Sequence, residues 1–445
     1  MFETIKNAFT TPDIRRKILF TLALLLVYRI GCFVPIPGLD VSIMQNATSS
    51  GSYDLMQMLS MITGGSLSQG TIFALGIIPF INSFIIMQLL TLIIPKLEKL
   101  SKEGEDGKKK INQYTRYLAI LLAIVQGIGI MISWKNSGAI APVFGANTTS
   151  SVFTMIFIVI ILTAGSSLVM WLGERITEYG IGNGTSLIIF IGILSTLGTS
   201  IGTAIVSTIP QRIKGGVTTD IWFLLAFFVL IIALFVLIVF VDMAERRISV
   251  QYAKQIKGNK MYGGQSTYIP IKVNSGGVMP IIFASSLVMF PQMIFQFIPS
   301  TNEGWIKFVT GWSTWVGVGS HLYPVFLFLL IIFFAYFYAQ IQFNPDDVAR
   351  MVQQNSGAIH GIRPGKPTSD YLKRINNRIT FFGALFLAFI ALIPTYILKI
   401  EGFSILGFNS AFSATGLLIV VSVALEFDKQ LQSQLLVRNN KGFLK

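Results

Sequence analysis

The carboxylates nearest the apolar stretches of this 445-residue chain are Glu174, Glu178, Asp242, Glu245, Glu426 and Asp428, and all fall at stretch ends or in adjoining loops. Two histidines occur, His321 and His360, both outside those stretches, and Cys32 is the one cysteine. No P-loop and no HExxH sequence is present. No Ser/His or Cys/His pair shares a stretch, and no metal-ligand cluster is spaced for binding. These residues therefore predict neither hydrolysis nor redox chemistry. Pumps and ion-coupled transporters place ionisable groups inside the membrane, and such a driving-ion site is missing too. A single cysteine excludes an internal disulfide, and Cys32 reads as a small packing residue. Arg29 is the one charge in the interior of an apolar stretch, away from its ends. It lies about 8 Å of helix from the outer end, which reads as snorkelling to the interface.

The elements that must position any site are membrane helices. The chain is 53% hydrophobic and 12% charged, against roughly 25% charged in soluble proteins, and its mean hydropathy is +0.67. Ten continuous apolar segments run roughly over 18–34, 71–94, 114–133, 152–172, 184–206, 221–241, 277–298, 322–341, 378–398 and 410–427. Continuous stretches near 20 residues indicate spanning helices rather than a barrel. The N-terminal "MFETIKNAFTTPDIRRK" reads as a polar lead-in and not a cleavable signal. When the connections are taken alternately, 28 Lys and Arg lie on the side of the termini and 5 on the other. Both termini are thus expected in the cytoplasm.

The second segment is irregular. Residues 55–95 carry no charge, yet Gly, Ser, Gln and Thr fill the first half and Pro79 interrupts it. Non-helical backbone at membrane depth must be sheltered by protein or face a water-filled cavity. Residues 66–78 therefore read as a polar-tinged half-helix inside a bundle and 80–94 as the span, with a kinked ordinary helix as the alternative. Gly180, Gly182 and Gly184 form a second such place, a close approach or hinge, or a plain helix end. Two basic loops on the termini side stand out. Loop 242–276 holds "RRISVQYAK" and "QSTYIPIKV" around "KGNKMYGG", a basic β-hairpin. Loop 342–378 holds "SGAIHGIRPGKPTS". Basic protrusions suit an acidic partner such as ribosomal RNA, anionic phospholipid or an acidic protein surface.

Six stretches resemble the bacterial SecY family in order along the chain: "YRIGCFVPIPG", "IFALGIIPFINSFIIMQLL", "EDGKKKINQYTRY", "MWLGERITEYGIGNGTS", "QSTYIPIKVNSGGVMPIIFASS" and "GIRPGKPT". Phe80 and Thr185 depart from the residues often found at those positions. The resemblance implies an all-α protein-conducting channel of the cytoplasmic membrane, ten spans in two inverted five-helix halves, 1–210 and 211–445, with a re-entrant plug helix. It implies no enzyme and no cofactor. It implies a pore ring of Ile81, Ile85, Ile189, Ile193, Ile282 and Ile419. Branched aliphatic side chains withhold hydration from ions and offer an extended peptide no hydrogen bonds. The plug corresponds to about 62–74, with Thr63, Gly64, Gly65, Ser66, Leu67, Ser68, Gln69, Gly70, Thr71, Ile72 and Phe73. A lateral gate for apolar segments falls at Ile86, Gln126 and Phe290. Docking of the motor SecA and the ribosome falls at Arg246, Arg247, Lys254, Lys257 and Arg363. Implied partners are the small subunits SecE and SecG, SecA, the ribosome, signal peptides, nascent chains and phospholipid, and no DNA. A secondary transporter with inverted repeats shares the broken helices, but it requires a charged or strongly polar midplane site.

Overall fold

The computed structural model describes residues 8–41, 60, 63–141, 148–203, 205–206, 210, 219–252, 255–257, 260–262, 266–295, 303–315, 320, 322–397 and 414–441. Its helices are α1 (Pro12–Gly31), α2 (Ile78–Ile93), α3 (Pro95–Lys102), α4 (Glu105–Asn136), α5 (Thr148–Tyr179), α6 (Gly184–Thr203), α7 (Thr219–Asp242), α8 (Met279–Phe295), α9 (Glu303–Trp315), α10 (Tyr323–Gln342), α11 (Pro345–Gln354), α12 (Lys366–Ile397) and α13 (Ala414–Lys441). All ten apolar segments are met by a helix, and α3, α9 and α11 are connectors. Among the described residues, six helices are long and apolar enough to cross a membrane, or seven with the bent pair α2 and α3. The other three each fall short for a visible reason. The first turns of α1 and the tail of α13 are charged, and α8 has 17 residues.

Proline sets several of these helices. Pro12, Pro79, Pro95 and Pro324 each stand in a first turn, where a missing N–H costs nothing and the fixed φ suits the helix. Pro79 thus starts α2 and does not cut a longer helix. Pro95 follows Ile94 in extended conformation, and the axis turns by 101° into α3.

The irregular stretch departs from the half-helix expected over 66–78. Residues 63–77 run as successive turns around an isolated bridge at Thr71. Gly64, Gly65, Gly70 and Gly76 sit at φ of 69°, 88°, 59° and 53°, which a right-handed helix cannot contain. The polar residues serve these turns. Ser66 Oγ donates to the Thr63 carbonyl at 2.8 Å, Ser68 Oγ to Gly65 at 2.9 Å and Thr71 Oγ1 to Ser66 at 3.2 Å. Buried carbonyls that a helix would have satisfied are thereby paired.

Loop 242–276 forms the expected hairpin. Strands β1 (Glu245–Tyr252) and β4 (Ser266–Lys272) are antiparallel, with Glu245 opposite Lys272, and β2 (Gln255–Lys257) pairs with β3 (Lys260–Tyr262) beyond them. A further strand, β5 (Gly357–Ile359), comes from loop 342–378 and pairs with β1, placing Val250 opposite Ile359. The two basic loops are therefore one three-stranded sheet of order β4-β1-β5. Ile248, Val250, Ile271, Val352, Ile359 and Leu372 form its core, so α11 and α12 carry the sheet.

Within the bundle α1, α2, α4, α5 and α6 pack on one another, as do α7, α8, α10, α12 and α13, while α13 touches α6 and α8 touches α2 and α4 between the groups. The largest cluster of buried apolar side chains, including Ile85, Ile189, Ile281, Phe334 and Leu418, runs through both groups.

A pore waist, a seat of turns and a seam

The six isoleucines expected in the ring all belong to or border the largest apolar cluster. Ile85, Ile189, Ile193 and Ile419 are buried in the largest cluster, and Ile81 and Ile282 pack against it half-buried. Two cavities open beside them. One, of about 550 Å³, has Ile81, Phe84, Ile189 and Ile282 in its lining and Arg116 and Glu174 at its polar side. The other, of about 400 Å³, is lined by Phe84, Ile189, Ile282 and Ile419, with Asp242 and Lys429. They share Phe84, Asn183, Ser186, Ile189, Met279 and Ile282, so the two cavities adjoin at a wall of mixed polar and apolar side chains. Their rims hold paired charges: Arg116 with Glu174 at 2.6 Å and Lys429 with Asp242 at 3.7 Å. Asp242 also accepts from Asn274 Nδ2 at 3.0 Å.

One turn beyond Ile189 lies Gly192, and there the turns of 63–77 press on α6. A Cβ on Gly64 would stand 3.0 Å from the Gly192 Cα. Along α6, Ile189 thus borders the two cavities and Gly192, one turn on, meets the turns. The turns are held by the end of α1 and by α5. Ile36 N–H donates to the Gly70 carbonyl at 2.9 Å and Ile72 N–H to Val34 at 3.0 Å. Tyr28 stacks on Phe73 with centroids 5.8 Å apart. From α5, Ser166 Oγ donates to Gly76 at 3.1 Å. Gly165 lets the two backbones meet, since a Cβ there would overlap the Ile72 carbonyl. Gly165→Ala is expected to cost about 2–3 kcal/mol, read as a lowered melting temperature in detergent. Gly198→Ala, with open space around it, is expected to melt as the parent does.

Arg29 does not fit the snorkelling expectation. Its Nη1 donates to the Gly64 carbonyl at 3.0 Å, and its guanidinium lies 4.7 Å over the Phe33 ring. Cys32 is buried, as a packing residue should be.

The seam residues are partly placed. Ile86 is half-buried on α2. Gln126 on α4 is 3% exposed, and neither amide atom has a partner among the described residues. Phe290 belongs to α8. What composition did not reveal is a contact between α2 and α10. Tyr338 Oη donates to Gln88 Oε1 at 2.7 Å. Phe283 of α8 stands edge-on to Phe84 at 6.5 Å and to Tyr338 at 5.0 Å.

Of the docking residues, Arg246, Arg247 and Arg363 are exposed. Arg247 Nε pairs with Glu245 at 2.7 Å and lies 4.8 Å over the Tyr268 ring. That hydrogen bond raises the guanidinium's already high pKa. Arg246 makes no ion pair among the described residues. Thr368 Oγ1 donates to the Arg363 carbonyl at 2.8 Å and fixes that turn. Lys257 lies in β2, while Lys254, His321 and residue 62 of the plug range lie outside the described residues.

Comparison with known proteins decides what this arrangement belongs to. A family model described as SecY matches residues 71–427. The chain belongs to the SecY family. It is 46% identical to the protein translocase subunit SecY of Streptomyces galbus and 42% to that of Mycobacterium tuberculosis, with both chains covered in full. Among solved structures it is similar to one described as a protein-conducting channel, with a TM-score of 0.63 and 20% identity over 94% of this chain and 91% of that one. It is also similar to Sec61 in a canine ribosome-channel complex, with a TM-score of 0.59 and 18% identity over the same shares. As a SecY, the chain is the channel subunit of the protein translocase and not an enzyme. The transporter alternative finds no support in these relatives.

Proposed function

We propose that polypeptide passes through the waist formed by Ile81, Ile85, Ile189, Ile193, Ile282 and Ile419, and that residues 63–73 are the plug that closes it. The carrying observation is the order of parts along α6. Ile189 lines both cavities, and Gly192, one turn on, abuts Gly64. A dry aliphatic constriction resists ions by withholding hydration, and it gives an extended chain nothing to bind. The energy comes from a partner. SecA and the ribosome dock on the basic sheet through Arg246, Arg247 and Arg363, which the joining of both loops presents on one rigid base. The ribosome complex of canine Sec61 supports that partner. SecE and SecG complete the complex in the bacterial cytoplasmic membrane, with both termini in the cytoplasm, as the 28 to 5 distribution of Lys and Arg supports.

The two packing groups of helices support a division into halves, 1–210 and 211–445, that part to release apolar segments sideways. Gln126 suits such a seam. A buried unpaired amide costs about 1–3 kcal/mol, and that cost is relieved when the helices separate. A stalled secretory chain with a photoreactive group at Ile189 tests the pore reading. A crosslink from Ile189 to the chain is expected, with none from the exposed Leu194. Crosslinks from Leu194 alone would place the path elsewhere.

A further inference from the structure

Arg29 is a charge inside a membrane span with no carboxylate paired to it among the described residues. A charge at that depth is costly unless it is used. Its donor meets a backbone carbonyl, Gly64, 35 residues away at 3.0 Å. We infer that Arg29 is the positioning residue that latches the plug, and that a translocating chain releases the latch by offering its own peptide carbonyls in place of Gly64. The inference rests on residues 63–73 being the plug.

Three features carry it. First, Gly64 is clamped. A Cβ there would meet Arg29 Nη1 at 3.2 Å on one side and the Gly192 Cα at 3.0 Å on the other, so the latch presses the plug onto the helix that bears Ile189 and Ile193. Second, the attachments differ in kind along the segment. The backbone bonds of Ile36 to Gly70 and of Ile72 to Val34 tie residues 70–72 to the end of α1 as a short two-stranded bridge. Gly64 lies six residues before Gly70 and takes the Arg29 hydrogen bond, while Leu67 between them is buried in a second apolar cluster. On this reading the plug leaves its seat about 70–72 only when the Arg29 bond opens and Leu67 gives up its packing. Third, the acceptor is generic. Every residue of an extended substrate carries a carbonyl, and guanidinium has several donors in a planar fork. One carbonyl replaces another, so opening does not strand a buried charge, and no particular substrate sequence is required. A carboxylate partner in place of Gly64 would have made release costly.

The test uses the whole channel complex in sealed membrane vesicles, in a Cys32→Ser background. Ser66, which is fully buried, is replaced by cysteine and labelled from the outer side with a membrane-impermeant thiol reagent. Slow labelling is expected with Arg29 present. Arg29→Met keeps the apolar stem and removes the donors. It is expected to label about tenfold faster, the factor a charge-assisted hydrogen bond supplies, with a matching rise in resting ion conductance. Arg29→Lys keeps the charge without the fork, and its rate is expected to fall between the two. It also serves if Arg29→Met does not assemble. A variant lacking 63–70 separates the readings. If that deletion raises conductance while both Arg29 variants label and conduct like the parent, the latch is wrong and the plug stands. If the deletion also changes nothing, the plug reading fails with it.

Discussion

Ile193→Asn is expected to make the resting channel leak ions roughly thirtyfold more than the parent. Ile193 is 5% exposed and sits in the largest apolar cluster, next to the glycine that meets the turns of 63–77. An amide placed there without a partner costs about 2 kcal/mol, and the cheapest relief is water. Water at the waist ends the dewetted seal. If that cost is the seal's own margin, it converts to the thirtyfold figure. Ile193→Leu conserves volume and is expected to leave conductance near the parent's. Leu194→Asn is the sharper control, because Leu194 is 48% exposed on the outer face of the same helix. The measurement is single-channel conductance in planar bilayers without substrate. Equal conductance in the two Asn variants, with both assembled, would remove Ile193 from the ring.

The ten spans were legible in the sequence because continuous apolar length is itself the signal for a membrane helix, and the β1–β4 hairpin because its alternation is strict and its turn is local. What was not legible was set by long-range backbone choices. β5 has three residues and joins β1 from about a hundred residues away, too short for any periodic pattern to announce. The half-helix became turns because Gly64, Gly65, Gly70 and Gly76 all adopt positive φ. A glycine in a sequence permits that region without declaring it. Arg29 looked like a snorkelling residue because its acceptor is a backbone carbonyl, which every residue has and no composition distinguishes. The isoleucines of the ring are no different in type from lipid-facing ones. Family resemblance named them, and the structure then placed them in one cluster.

The seam between α2 and α10 shows the same limit and yields the second large effect. Tyr338→Phe is expected to lower the hydrophobicity that a test segment needs to leave the pore sideways. Tyr338 and Gln88 are 250 residues apart and bonded at 2.7 Å, near the ends of α10 and α2 that lead toward the basic connections. The substitution removes one hydroxyl and leaves the ring to pack on Phe283, whose centroid is 5.0 Å away. Such a bond contributes about 1 kcal/mol net. The inserted-to-secreted ratio of a marginal segment is thus expected to rise about fivefold. A graded series of Leu/Ala segments measures the shift. Gln88→Leu should give a similar shift, and the double variant no more than either alone, because both remove the same bond. Additive shifts would mean that the two side chains act separately. An unmoved threshold in all three variants would leave the seam held by the aromatic contacts of Phe84, Phe283 and Tyr338 and not by this hydrogen bond.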